Sequence, residues 1–213
     1  MAVEETYELK HAGAKLKGGF SRFDYKGGKG DGSPSFRSVI ASLPLQAHSI
    51  YYRDQIGNIS TSDMRVVDGA IELEIQTRFP MFGGWQTQFY IGYSLPTETV
   101  LFVDSVTGRH SLKFDFFTIF EDVWVEEMEI KVVLPEGCRD VKVDVPYAVE
   151  TAWTTRFTYL DSVLNGGRPV LTLRTGNVVE EHDKKITIRY VARAERRRGT
   201  RDRCSFCSCD LFF

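Results

Sequence analysis

The chain has 213 residues, 42% of them apolar and 26% charged, a globular composition that excludes an extended disordered protein. The length suits one large domain or one and a half. A formal net charge of −2, from 27 basic and 29 acidic residues, excludes a general nucleic-acid binder.

The first residues, Met1-Ala2-Val3-Glu4-Glu5-Thr6-Tyr7-Glu8, carry acids where a signal peptide would have positive charge and then an apolar stretch. No run approaches the roughly 18 apolar residues that cross a bilayer. As written, the chain is therefore expected to lack a signal and an anchor, with the cytosol as its literal default. Residues 26–34 (KGGKGDGSP) are a Gly-rich connection without the GxxxxGK[ST] spacing of a phosphate loop. From Ser35 to Leu43 the apolar residues Phe36, Val39, Ile40 and Leu43 follow i, i+3, i+4, i+7, and Pro44 follows. This spacing predicts a short helix over 35–43.

The rest reads as strands. Ala47 to Arg53 is rich in β-branched and aromatic residues, and Ala70 to Gln76 alternates at period two, the mark of a half-buried strand. Gln86 to Leu95 puts Phe89, Ile91 and Tyr93 on one face. Leu112 to Phe116 alternates, and Met128 to Leu134 ends at the turn Pro135-Glu136-Gly137. Thr154 to Leu160, Pro169 to Leu173 and Ile186 to Val191 complete the set, with Ile119 to Val125 a turn or strand edge. The expected class is all-β, an antiparallel β-sandwich with at most the helix near 35–43.

Chemistry-bearing patterns are sparse. His11, His48, His110 and His182 show no metal-ligand spacing and read as surface or loop residues. No GxSxG elbow occurs. Glu126, Glu127 and Glu129, with Glu180, Glu181 and Asp183, read as solvated faces. The order of residues thus assigns no catalytic, cofactor-binding or metal-binding residue. Asn58-Ile59-Ser60 is an N-glycosylation acceptor on a turn between strands, meaningful only in a secretory lumen. Phe79-Pro80-Met81-Phe82-Gly83-Gly84-Trp85 sets bulky groups around a Gly pair, which allows positive φ or close backbone approach. Phe79, Phe82 and Trp85 form either a buried corner capping the core or a partner contact. An exposed platform of Trp85, Trp124 or Trp153 would suit a carbohydrate-binding module, but all three read first as core or loop packing.

The end of the chain differs from the body. Residues 192–213 hold six arginines against Glu195, Asp202 and Asp210, a net +3, while residues 1–191 carry 21 basic against 26 acidic groups. Cys204, Cys207 and Cys209 crowd there, and Cys138 is alone in the body. The CxxC of Cys204 and Cys207 has no second pair, so the tail is expected to be disordered rather than zinc-binding. Arg196-Arg197-Arg198 reads as solvated charge.

Several separated motifs run in order: Gly18-Gly19-Phe20-Ser21-Arg22-Phe23-Asp24-Tyr25, Tyr51-Tyr52-Arg53-Asp54-Gln55-Ile56-Gly57-Asn58-Ile59-Ser60-Thr61-Ser62 and Arg78-Phe79-Pro80-Met81-Phe82-Gly83-Gly84-Trp85. Ile91-Gly92-Tyr93, Val133-Leu134-Pro135-Glu136-Gly137, Thr158-Tyr159-Leu160-Asp161 and Gly167-Arg168-Pro169-Val170 follow. Over residues 3–191 the chain resembles the ribophorin I family of the endoplasmic reticulum oligosaccharyltransferase. The resemblance implies β-rich lumenal domains, then a membrane helix and a cytosolic segment. It implies an accessory subunit that supports the complex and presents glycoprotein substrates, with catalysis in another subunit. Its partners would be the other subunits, and no cofactor is implied.

By the same resemblance, residues 1–44 are the remnant of a preceding lumenal domain or a linking segment, and 45–191 a β-sandwich lumenal domain. The expected membrane helix is replaced by the basic, Cys-rich tail 192–213, which looks like an out-of-frame or intron-derived end. The family works at the endoplasmic reticulum membrane on its lumenal side, through a helix missing here.

Overall fold

The computed structural model describes residues 1–26, 35–59, 62–159, 161, 166–192 and 208–212. Strands dominate. β1 (Ala2–Lys10), β2 (Ser35–Pro44), β3 (His48–Asp54), β4 (Asp63–Val67), β5 (Ala70–Phe82) and β6 (Gln86–Ser94) come first. Then follow β7 (Leu101–Val103), β8 (Arg109–Asp115), β9 (Val125–Val133) and β10 (Arg139–Asp144). β11 (Glu150–Arg156), β12 (Arg168–Val178), β13 (Lys185–Val191) and β14 (Ser208–Phe212) complete the order. Two short helices, α1 (Arg22–Lys26) and α2 (Thr97–Val100), lie between them. Among the described residues no helix is long and apolar enough to cross a membrane.

Three sheets form: β11-β12-β9-β14-β1-β6-β3, β10-β13-β8-β7 and β2-β5-β4. All three feed one core. Val3, Ile91, Ile130 and Leu171 come from the first sheet, Leu112 and Ile188 from the second, Leu43 and Ile75 from the third. The alternation read in Gln86 to Leu95 is what the sheet uses. Phe89, Ile91 and Tyr93 are buried while Gln86 and Gln88 face water. The all-β class is confirmed.

The helix expected over 35–43 is a correction: this segment is strand β2. It pairs antiparallel with β5 from Ser35 opposite Phe82 to Pro44 opposite Ala70. Val39, Ala41 and Leu43 point inward at period two, and Ile40 is 48% exposed. The pairing is irregular between Phe36 and Ser38, where the single residue Arg37 faces four residues of β5, 77–80. The helical spacing arose because Ile40, an apolar residue, stands on the outward face, while small Ala41 fills an inward position. β-branched Val39 and Ile40 also favour the extended chain.

Both strands before residue 44 pair with strands after it, β1 with β6 and β2 with β5. Residues 208–212 of the tail expected to be disordered are a strand, β14, held by ladders on both sides. Arg196 to Arg198 and the Cys204–Cys207 pair lie outside the described residues, as does most of the Gly-rich stretch. Of the tryptophans expected in core or loop packing, Trp124 lies in the loop before β9 and Trp153 on β11, and both are exposed. For Trp153 the reason is position: β11 is an outer strand of its sheet, and all seven of its residues face solvent.

Candidate partner-contact corner and a buried carboxyl site

The Phe79–Trp85 stretch is the end of β5, a tight turn and the approach to β6. Trp85 N–H donates to Phe82 O at 2.9 Å across the turn. Segment 11–16 is laced onto it. His11 N–H donates to Trp85 O at 3.0 Å, Gly84 N–H to His11 O at 2.8 Å, and Leu16 N–H to Gly83 O at 3.3 Å. Both glycines have the roles the sequence allowed. A Cβ on Gly83 would stand 1.9 Å from Ala14 O, and Gly84 has φ +85°.

On this frame five aromatic rings meet. Phe82 is at the centre, 5.2 Å from Trp85, 5.4 Å from Phe20 and 5.8 Å from Tyr25. Phe20 reaches Trp85 at 5.6 Å, and Phe79 reaches Trp85 at 5.8 Å, mostly edge-on. Arg37 donates from Nε to the Tyr25 hydroxyl at 2.6 Å and lies over its ring, 4.8 Å from the centroid. Phe82 is buried, as is Met81 beside it, yet both stand apart from the continuous core. Phe79 and Phe20 are about two-fifths exposed, and Phe23 on α1 almost wholly so. The corner is thus a small cluster with an aromatic surface. The structure brings Phe79, Phe82 and Trp85 together and adds Phe20, Tyr25 and Arg37.

Asn58 lies on the turn that follows β3. Asp54 pins that turn. Its Oδ1 accepts from the N–H groups of Ile56 and Gly57, both at 2.9 Å. Arg78, next to Phe79, donates Nη2 to Oδ1 at 2.8 Å and Nε to Oδ2. The Arg78 guanidinium and the two N–H groups hold the Asp54 carboxyl down at about 2. Asn58 is exposed and bridges Arg53 across the turn. Ser60, the other half of the acceptor, lies outside the described residues.

The sequence reading missed a second site. Glu5 is 1% exposed, on the inward face of β1 between Val3 and Tyr7. Tyr93 donates to its Oε1 at 2.9 Å and Tyr7 to its Oε2; the Tyr7 hydroxyl also meets Thr118 Oγ1 at 3.0 Å. Burial pushes the Glu5 carboxyl up to about 7, and the bonds from Tyr7, Tyr93 and Ile119 N–H only partly oppose it. Burial, and then the neighbouring Glu5 charge, raise the Tyr7 hydroxyl well above its ordinary range. Glu5 lies on the wall of a cavity of about 750 Å³, with Leu43, Tyr93, Leu95, Phe117 and Thr118. The signal was present: period-two alternation puts Glu5 in phase with Val3 and Tyr7.

The histidines are only partly at the surface. His110 stacks on Tyr190 at 5.3 Å, His182 meets Tyr147 at 5.4 Å, and both are half-buried. Glu129 pairs with Lys131 and Arg174, so this carboxylate is part of an ion-pair set. Among the described residues no group of three His, Cys, Asp or Glu could hold a metal ion.

The sequence profile of the family described as Ribophorin I matches residues 1–195. The chain is 44% identical over 189 residues to the Arabidopsis thaliana dolichyl-diphosphooligosaccharide–protein glycosyltransferase subunit 1A, covering 88% of this chain and 30% of that protein. It is 45% identical over 193 residues to the Caenorhabditis elegans subunit 1, covering 89% and 32%. To the Oryza sativa subsp. japonica subunit 1B it is 43% identical over 189 residues, covering 88% and 39%. The chain therefore spans about a third of the length of these relatives. A match over nearly the whole chain, at such identity and including both the corner and the Asn58 turn, decides the family: the chain belongs to the ribophorin I family.

Proposed function

We propose that this chain is a lumenal β-rich segment of an accessory, non-catalytic subunit of the oligosaccharyltransferase complex at the endoplasmic reticulum membrane. It supports protein N-glycosylation by helping to assemble the complex and to present glycoprotein substrates. The observation that carries this reading is the family match over residues 1–195, with relatives named as subunits of that glycosyltransferase. The aromatic corner fits the reading as the contact surface. Half-exposed aromatic anchors around one buried ring are what protein interfaces use.

The test is a chimera: a full-length relative whose matching segment is replaced by residues 1–192 of this chain. The other subunits are expected to co-purify with it from solubilised membranes. Phe79→Ala should lower their recovery several-fold while changing stability by less than about 1 kcal/mol, because the ring is 38% exposed. A folded chimera that brings down no other subunit would overturn the reading.

A lumenal segment should also carry a glycan on Asn58, whose side chain is exposed on a pinned turn. In secretory cells the chain behind a supplied signal sequence is expected to run as a heavier band. Glycan-removing enzyme and Asn58→Gln should each collapse that band to one position. An unshifted band counts against a lumenal location.

A further inference from the structure

β1 and β9 each have one edge paired within the fold and one edge turned to a common gap. β1 pairs with β6 along Ala2–Lys10, and β9 pairs with β12 between Val125 and Val133. β14 fills the gap, parallel to β1 from Ala2 to Thr6 and antiparallel to β9 from Glu129 to Val132. Among the described residues, β14 is the only strand joining the β11-β12-β9 half of the sheet to the β1-β6-β3 half. Residues flanking the gap, Val3 on β1 and Met128, Ile130 and Val132 on β9, are buried in the core.

The family match ends at residue 195. Both edges of the gap lie within the matched residues, and the strand that fills it lies beyond them. Two facing edges with unpaired N–H and C=O groups beside a core are costly to leave open. The relatives have ample chain for the purpose, since this chain covers only 30–39% of their length.

We propose that the gap between β1 and β9 is a strand-accepting slot of the shared fold. Residues 208–212 occupy it in this chain, and in the longer relatives an extended segment of their own chain, outside the matched region, takes the same place. The occupant is selected by its backbone. It must supply ladder donors and acceptors on both sides, parallel to one neighbour and antiparallel to the other, over about five residues and without proline. Different sequences can satisfy that demand, which explains how a segment outside the family match fits.

Amide hydrogen exchange on the full chain tests this. In the unaltered chain, residues 208–212 should exchange slowly, together with Ala2–Thr6 and Glu129–Val132. Asp210→Pro removes a ladder donor from β14. It should raise exchange at those stretches of β1 and β9 by about tenfold or more while the β11–β12 ladder stays protected. A synthetic peptide of residues 208–213, added in excess to the Asp210→Pro chain, should restore protection; the same peptide with proline at 210 should not. Unprotected amides at 208–212 in the unaltered chain overturn the proposal, whatever becomes of the variant. So does an Asp210→Pro chain that keeps β1 and β9 protected, or one that the peptide fails to rescue.

Discussion

Replacing Gly83 by alanine is expected to destabilise the chain by about 1–3 kcal/mol, the usual range for overpacking a well-packed site. The added methyl would stand 1.9 Å from the carbonyl oxygen of Ala14 and 2.5 Å from its carbonyl carbon. Both atoms are backbone, so no rotamer change removes the clash. The backbone cannot retreat cheaply either, because His11, Leu16, Gly84 and Trp85 are hydrogen-bonded across the same contact. Separation would undo that lacing and loosen the turn carrying Phe82 and Trp85. Gly19→Ala is the control: a Cβ there meets nothing within 4 Å, and its stability change should stay within about 0.5 kcal/mol. Urea midpoints of the two variants decide the matter, and equal midpoints would refute the close-approach argument. The corner variant should also weaken subunit recovery more than its stability loss alone explains.

The same corner shows how far the sequence could be read. Two adjacent glycines between bulky residues announced either positive φ or close approach, and the chain uses one glycine for each. The partner in that approach, segment 11–16, was not legible, because it pairs at long range and carries no alternation of its own. β6 was legible because one face is buried and the other wet, so its pattern is clean. β2 was misread because an apolar residue, Ile40, stands on its outward face and a small one, Ala41, on its inward face. β4 and β10 escaped notice for a related reason: β4 is exposed along its whole length and β10 nearly so, and neither needs a strong apolar face. β1 was masked by its acids. Glu4 and Glu8 look outward or lie half-exposed, and Glu5 is read in the same breath as them although its side chain turns into the core.

Glu5 carries the second large expected effect, on the pH dependence of stability. In the unfolded chain this carboxyl titrates near its ordinary 4.5, and in the folded chain burial raises it to about 7. Between those values the folded state holds a proton that the unfolded state has lost. Its contribution is therefore fully present below about 4.5, falls as pH rises, and is gone above about 7, a loss of roughly 3 kcal/mol in all. Glu5→Gln keeps the shape and cannot ionise; its oxygen accepts from one tyrosine hydroxyl and its Nε2 donates to the other. The difference in unfolding free energy between the two chains, measured by urea titration from pH 4.5 to 8, should swing toward the variant by that amount. Other titrating groups cancel in the difference. Glu5→Ala should be worse than Glu5→Gln at every pH, because it leaves a void and takes a partner from the buried hydroxyls of Tyr7 and Tyr93, each such loss costing about 1–3 kcal/mol. Parallel pH profiles for the unaltered chain and Glu5→Gln would show that the carboxyl is not held protonated by the fold. A swing of the expected sign would make the junction of β1 with Thr118 and Ile119 stiffest in mild acid and looser near neutrality.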